Sequence, residues 1–121
     1  MTKDLTVPLE DRPGSLAAAC EALGKDGINI EGVCAYPGDG GLLHVLVEDE
    51  AAARRALEDE GFTVTRERDV LLVELEDRPG AAGETLRRIA AVGVDLDLAY
   101  MATQTRLVVG ADDLEKARSA V

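Results

Sequence analysis

The hexapeptide Leu9-Glu10-Asp11-Arg12-Pro13-Gly14 occurs twice in this chain, returning unchanged as Leu75-Glu76-Asp77-Arg78-Pro79-Gly80, 66 positions later. Six consecutive identities are hard to reach by chance in 121 residues. The correspondence runs on at the same offset: Leu23 pairs with Ile89, Gly27 with Gly93, Ile28 with Val94, Asn29 with Asp95 and Ile30 with Leu96. Self-similarity of this kind sets the unit of structure before any local reading. The period is longer than that of common solenoids and only two copies are present, so two small related domains fit better than an array.

The flanking residues give each copy its order of elements. Leu5, Val7 and Leu9 alternate as in a half-buried strand. Residues 11–14 break the alternation, and Pro13 suits the first turn of a helix. Leu16, Ala19, Cys20 and Leu23 then fall at i, i+3, i+4 and i+7, on one helix face. Gly27 closes that helix. Residues 28–36 read as a strand, residues 37–41 as a hairpin loop and residues 42–47 as its partner. Asp49 fits the N-cap of a helix with Ala53, Ala56 and Leu57 inward, Gly61 follows it, and residues 62–68 form a last strand.

Copy two gives a strand over 70–76, a helix over 80–92 and a strand over 94–101. A turn near Thr103, a strand over 105–110 and a helix capped by Asp112 follow, with Leu114, Ala117 and Val121 on one face. The expected fold is α+β: two ferredoxin-like βαββαβ units, 1–69 and 70–121, each an antiparallel sheet with helices on one face. The second unit is read as lacking its last strand. That leaves 70–76 as an open edge and predicts a homodimer, or strand exchange, to cover it. Pro8 fits at the end of its strand, or where its N–H position faces a gap, because proline removes a ladder donor.

Composition narrows the function. Apolar residues make up 46% of the chain, enough for a core, while 24 Asp and Glu against 13 Lys and Arg leave a net charge of −11. So acidic a chain repels phosphate backbones. Tyr36, Phe62 and Tyr100 are too few aromatics for a base-stacking platform, so no nucleic-acid partner is expected. No apolar run reaches membrane-spanning length and no signal-peptide block follows the start, so no membrane contact and a cytoplasmic location are expected. Cys20 and Cys34 fit no metal-ligand spacing, and His44 is the single histidine. Neither a zinc site nor a Ser-His-Asp triad is expected, and the reading is of a protein with no metal, no cofactor and no enzymatic activity. The two cysteines and His44 read as core residues.

The run Asp11-Arg12-Pro13-Gly14-Ser15-Leu16, then a helix, then Gly27-Ile28-Asn29-Ile30-Glu31, resembles the ACT domains. These are small ferredoxin-like modules that bind amino acids and regulate amino-acid metabolism. The sequence is similar to the regulatory domains of phosphoglycerate dehydrogenase and of acetolactate synthase small subunits. The resemblance spans nearly the whole chain, closely in copy one and partly in copy two. It implies a stand-alone tandem ACT-domain protein that binds a small amino acid at a domain interface, beside the loop after the first strand. Asp11 and Asn29 are the implied contacts in copy one, with Arg12, Gly14, Ser15, Leu16 and Ile30 around them. Asp77, Gly80 and Asp95 are their counterparts in copy two. Asp95 puts a charge where the pattern has an amide, so copy one is expected to carry the better site. A biosynthetic enzyme is the implied partner. The alternative is an oligomerisation or regulatory subunit that binds no ligand.

The chemistry of the residues is compatible with that implication. Unpaired N–H groups at the helix start, Gly14 to Leu16, favour a carboxylate. An aspartate nearby favours the ammonium, and Asn29 can donate and accept. Other readings stay open: Asp11 and Asp77 fit turn residues or helix caps, Arg12 and Arg78 fit solvated loop charges, and Asn29 fits a strand terminus. Arg12 also sits where an acylphosphatase would hold phosphate, but Glu10 and Asp11 would repel that anion.

Overall fold

The computed structural model describes residues 2–36 and 40–121, with seven strands and four helices among them. They fall into two compact units, one of Lys3–Arg68 and the other of Asp69–Val121 with Thr2.

The first unit runs β1 (Lys3–Pro8), α1 (Ser15–Lys25), β2 (Gly32–Tyr36), β3 (Leu42–Leu46), α2 (Glu50–Asp59) and β4 (Arg66–Asp69). Its strands lie in the order β4-β1-β3-β2. β3 is antiparallel to both β1 and β2, with Val45 opposite Leu5 and Val33, and Leu43 opposite Val7 and Ala35. The alternation of β1 puts Leu5 and Val7 on one face, where they join Leu43 and Val45 against Ala19, Ala22 and Leu23 of α1 and Ala53, Ala56 and Leu57 of α2. Each such Leu or Val contributes about 1.5–3 kcal/mol of burial.

The intervening β1 residues are buried as well, but they are polar. Asp4 is fully buried; its Oδ2 lies 3.0 Å from His44 Nδ1 and accepts from Thr6 Oγ1 at 3.4 Å. His44 is therefore a core residue, as read from the sequence, held inside a polar cluster. Among the described residues no buried side-chain nitrogen or oxygen lacks a hydrogen-bond partner.

The second unit runs β5 (Leu71–Glu74), α3 (Ala81–Ala91), β6 (Leu96–Ala102), β7 (Arg106–Ala111) and α4 (Leu114–Ser119). Its strands are antiparallel in the order β6-β7-β5. Leu71, Leu107, Val109 and Ala111 pack with Ile89 of α3 and Ala117 of α4. The repeat is also a repeat of burial. Buried Ser15, Ala19 and Leu23 of α1 correspond at the 66-residue offset to buried Ala81, Thr85 and Ile89 of α3.

Several boundaries differ from the sequence reading. The strand expected over 28–36 begins at Gly32. Ile28 N–H still closes α1 onto Leu23, and the first cross-strand bond runs from Glu31 N–H to the Leu46 carbonyl. Likewise Phe62 N–H donates to Leu57, so the strand expected from 62 starts at Arg66. The cap of the last helix is Asp113, which accepts from Lys116 N–H at 3.0 Å, and not Asp112. Val121 lies beyond α4 and is exposed. On α1 the inward row is Ser15, Ala19, Ala22 and Leu23, leaving Leu16 42% exposed and Cys20 half-buried. Leu16, one position round from buried Ser15, falls outside that inward row. The strand expected from 94 starts at Leu96, and its pairing is irregular between Leu96 and Leu98. Pro8 ends β1 and is exposed, as expected. Of the expected hairpin loop, Pro37, Gly38 and Asp39 lie outside the described residues.

Candidate functional site

The two copies of the hexapeptide fold into the same backbone loop. Arg12 N–H donates to the Glu10 carbonyl at 2.9 Å and Arg78 N–H to the Glu76 carbonyl at 2.9 Å. Ser15 N–H then donates to Arg12 at 3.3 Å, and Ala81 N–H to Arg78 at 3.3 Å. The chain enters each helix through a left-handed glycine, Gly14 at φ +87° and Gly80 at φ +90°. A residue with a Cβ is strained there, which explains the glycine in both copies. Neither helix start has a side-chain cap, so Asp11 and Asp77 are not capping residues. Both carboxylates are exposed.

The loops part company in their arginines. Arg78 Nε donates to Glu76 at 2.7 Å, and its Nη2 and Nη1 donate to the two oxygens of Glu84 at 2.7 and 3.2 Å. This is a bidentate pair with a third carboxylate oxygen at the remaining edge. Hydrogen bonds from Glu84, then from Glu76, hold the Arg78 guanidinium far above its ordinary pKa. The same pair pulls Glu84 below its ordinary carboxylate value. Arg12 repeats the first contact alone, Nε to Glu10 at 2.8 Å. The residue matching Glu84 in copy one is Ala18, and among the described residues no second carboxylate reaches the Nη groups of Arg12.

A pocket of about 240 Å³ opens beside this loop in the first unit. Leu9, Leu16, Ala35 and Tyr36 form apolar walls; Glu10, Asp11 and Arg12 bring charge, with Ser15 and Gly41 completing the lining. Leu9 N–H donates to the Gly41 carbonyl at 3.0 Å, which fixes one wall to the end of β1. Leu16 and Tyr36 are among the most exposed large apolar side chains, at 42% and 46%. Exposed apolar walls in one pocket with a cluster of charges suit a small molecule with a polar head and an apolar tail.

Solved structures share this architecture. Protein BT0572 from Bacteroides thetaiotaomicron matches with a TM-score of 0.85 at 30% identity, over 99% of this chain and 86% of that one. The ligand-free regulatory subunit of aspartate kinase from Thermus thermophilus matches at 0.70 and 20% identity, over 98% and 86%. The corresponding subunit from Thermus flavus matches at 0.64 and 19%, over 98% and 89%. The chain has the ACT-domain fold. No protein-family model and no curated protein matches the sequence.

The ACT fold distributes the residues singled out from the sequence over more than one place. Asp11, Arg12, Ser15 and Leu16 come together at the pocket. Gly14 shapes its loop from the backbone. Asn29 does not open β2 and lines a separate depression with Asp26, Gly27, Ile28 and Glu31; Ile30 packs against the core. In copy two, Asp77, Gly80 and Asp95 are all exposed. Sequence reasoning missed Leu9, Ala35, Tyr36 and Gly41 as pocket walls. Tyr36 carried a usable signal, being one of only three aromatics and placed at a strand end.

Among the described residues no three His, Cys, Asp or Glu side chains gather as metal ligands. No helix there is long and apolar enough to cross a membrane.

Proposed function

We propose that this ACT-domain protein binds a small amino acid in the pocket beside the copy-one loop and regulates an enzyme of amino-acid metabolism through that binding, without catalysis of its own. The observation that carries the reading is the pocket itself, lined by apolar Leu9, Leu16, Ala35 and Tyr36 together with Asp11 and Arg12. Asp11 suits an ammonium and Arg12 a carboxylate, the two charges every free amino acid has. The regulatory part rests on the fold it shares with regulatory subunits of aspartate kinase.

The test is a thermal-shift screen against the twenty amino acids. Ligand at 100 times its dissociation constant should stabilise the protein by about 2.7 kcal/mol. If none binds with a dissociation constant under about a millimolar, the sensor reading fails, and a subunit that works through contacts alone takes its place.

One observation favours such contacts in either case. β5 ends its sheet, paired only to β7, and Val70, Leu71, Leu72 and Val73 line a groove there with Thr2 and Arg118. An apolar strand edge invites a further strand. A homodimer through β5 is the expected arrangement, and light scattering that gives a monomer at high concentration would contradict it.

A further inference from the structure

We infer that Arg12 is the carboxylate anchor of the pocket, that the ligand has an apolar side chain, and that copy two is closed to the same ligand by its own Arg78–Glu84 pair. The inference rests on the amino-acid-binding reading and adds the class of ligand, its orientation and the number of sites.

A guanidinium carries five N–H donors in a fixed fork. A guanidinium binds a carboxylate best through two parallel N–H groups. In copy two both Nη groups are already on the oxygens of Glu84 and Nε is on Glu76. An incoming carboxylate would have to displace a carboxylate already bound in bidentate geometry. In copy one only Nε is engaged, by Glu10 at 2.8 Å. Among the described residues nothing holds the Nη groups of Arg12, and Arg12 lines a pocket. The two loops share a backbone to within a few degrees at their glycines. The difference in how the two arginines are held therefore lies in one side chain, Ala18 against Glu84.

The other walls fix the rest of the ligand. Glu10 and Asp11 also line the pocket. They would repel a simple anion, so a carboxylate is tolerated only with an ammonium beside it. Apart from the Ser15 and Tyr36 hydroxyls, the walls made by Leu9, Leu16, Ala35 and Tyr36 offer no side-chain hydrogen-bond partner to a ligand side chain. A polar side chain placed there would lose its water without replacement. An apolar amino acid fits both constraints.

The experiment is calorimetry with L-leucine, with 4-methylpentanoate (leucine without its ammonium) and with 3-methylbutylamine (leucine without its carboxylate). Wild type should bind one leucine per chain. Arg12→Gln and Ala18→Glu should each weaken leucine about 10- to 150-fold, the second by giving Arg12 the partner that Arg78 has. Arg12→Gln should leave 3-methylbutylamine unchanged, which a merely structural loss would not. Arg78→Gln should leave leucine binding unchanged, and both amine and acid should bind wild type more weakly than leucine.

If leucine binds and Arg12→Gln has no effect, or weakens the amine equally, the anchor is overturned while the sensor reading stands. Two leucines per chain, or a loss on Arg78→Gln, overturns the closure of copy two. If leucine fails while another amino acid shifts the melting temperature in the screen, the apolar ligand is wrong and the sensor reading survives. If no amino acid binds at all, both fall together.

Discussion

Asp4 illustrates how much a single side chain can hold. It has no exposed surface, and its carboxylate faces His44 Nδ1 at 3.0 Å and Thr6 Oγ1 at 3.4 Å. Asp4→Ala leaves the buried imidazole without that oxygen, and breaking such a buried polar pair costs about 3 kcal/mol. Urea denaturation should show the midpoint falling accordingly; an unchanged midpoint would mean that the cluster is dispensable. Glu84 behaves in the opposite setting, at the surface. Its pKa is lowered by the hydrogen bond to Arg78 and by that charge. A lowered folded pKa means stability that is present above the unfolded glutamate value of about 4.3 and is lost as pH falls through the folded value. The stability gap between wild type and Glu84→Gln should therefore exist at neutral pH and close on acidification. It should also shrink in high salt, since the pair is solvated. Cys20 is pushed up from a pKa of 9.0 by burial, so at pH 7 it should resist alkylation by iodoacetamide until the protein is unfolded. The environment of Asp4 is not written in the local sequence. Burial of Asp4 depends on a partner 40 positions away, and residue type alone reads it as a surface charge.

At the scale of elements, caps and turns are where sequence and structure agree and disagree most instructively. Asp49 was legible as a cap because it directly precedes a run with inward Ala53, Ala56 and Leu57, and its Oδ1 does accept from Ala52 N–H at 3.1 Å. Asp112 was misread because Asp113 offers the same chemistry one residue on, and only the helix's actual start decides between them. Asp49→Ala should cost about 1 kcal/mol, whereas Asp112→Ala should stay within about 0.5 kcal/mol; thermal melts of the two variants separate these outcomes. The β6–β7 turn stores strain of another kind. Gln104 and Thr105 are non-glycine residues at φ +62° and +52°, while Arg106 holds Thr103 through Nε at 2.8 Å and Nη2 at 2.9 Å. Gln104→Gly should relieve part of that strain and stabilise the protein by about 0.5–1 kcal/mol, net of the freedom it gives the unfolded chain. A destabilised variant would show that the left-handed backbone is held at no cost.

Over the whole molecule the repeat is what made the fold legible. One copied hexapeptide fixed the period, and the period carried the inward rows Ser15-Ala19-Leu23 and Ala81-Thr85-Ile89 with it. The pocket was half legible: its loop came from the motif, but Leu9, Ala35, Tyr36 and Gly41 reach it only through sheet pairing. The arginine contrast was visible in principle by setting Ala18 against Glu84. It lies outside the copied hexapeptide, four residues beyond the glycine that ends each copy. The net charge of −11 also acts on the molecule as a whole. Self-repulsion of a charge this far from zero destabilises the compact state, so raising sodium chloride from 0.05 to about 0.5 M, which shortens the screening length below about 10 Å, should raise the melting temperature. A falling temperature would mean that specific ion pairs outweigh the repulsion. The Ala18 and Glu84 pair has one more consequence, in heredity. Alanine codons GCA and GCG become the glutamate codons GAA and GAG by a single base change. After duplication, then, one point mutation is enough to give the two copies different chemistry without disturbing the backbone that either needs in order to fold.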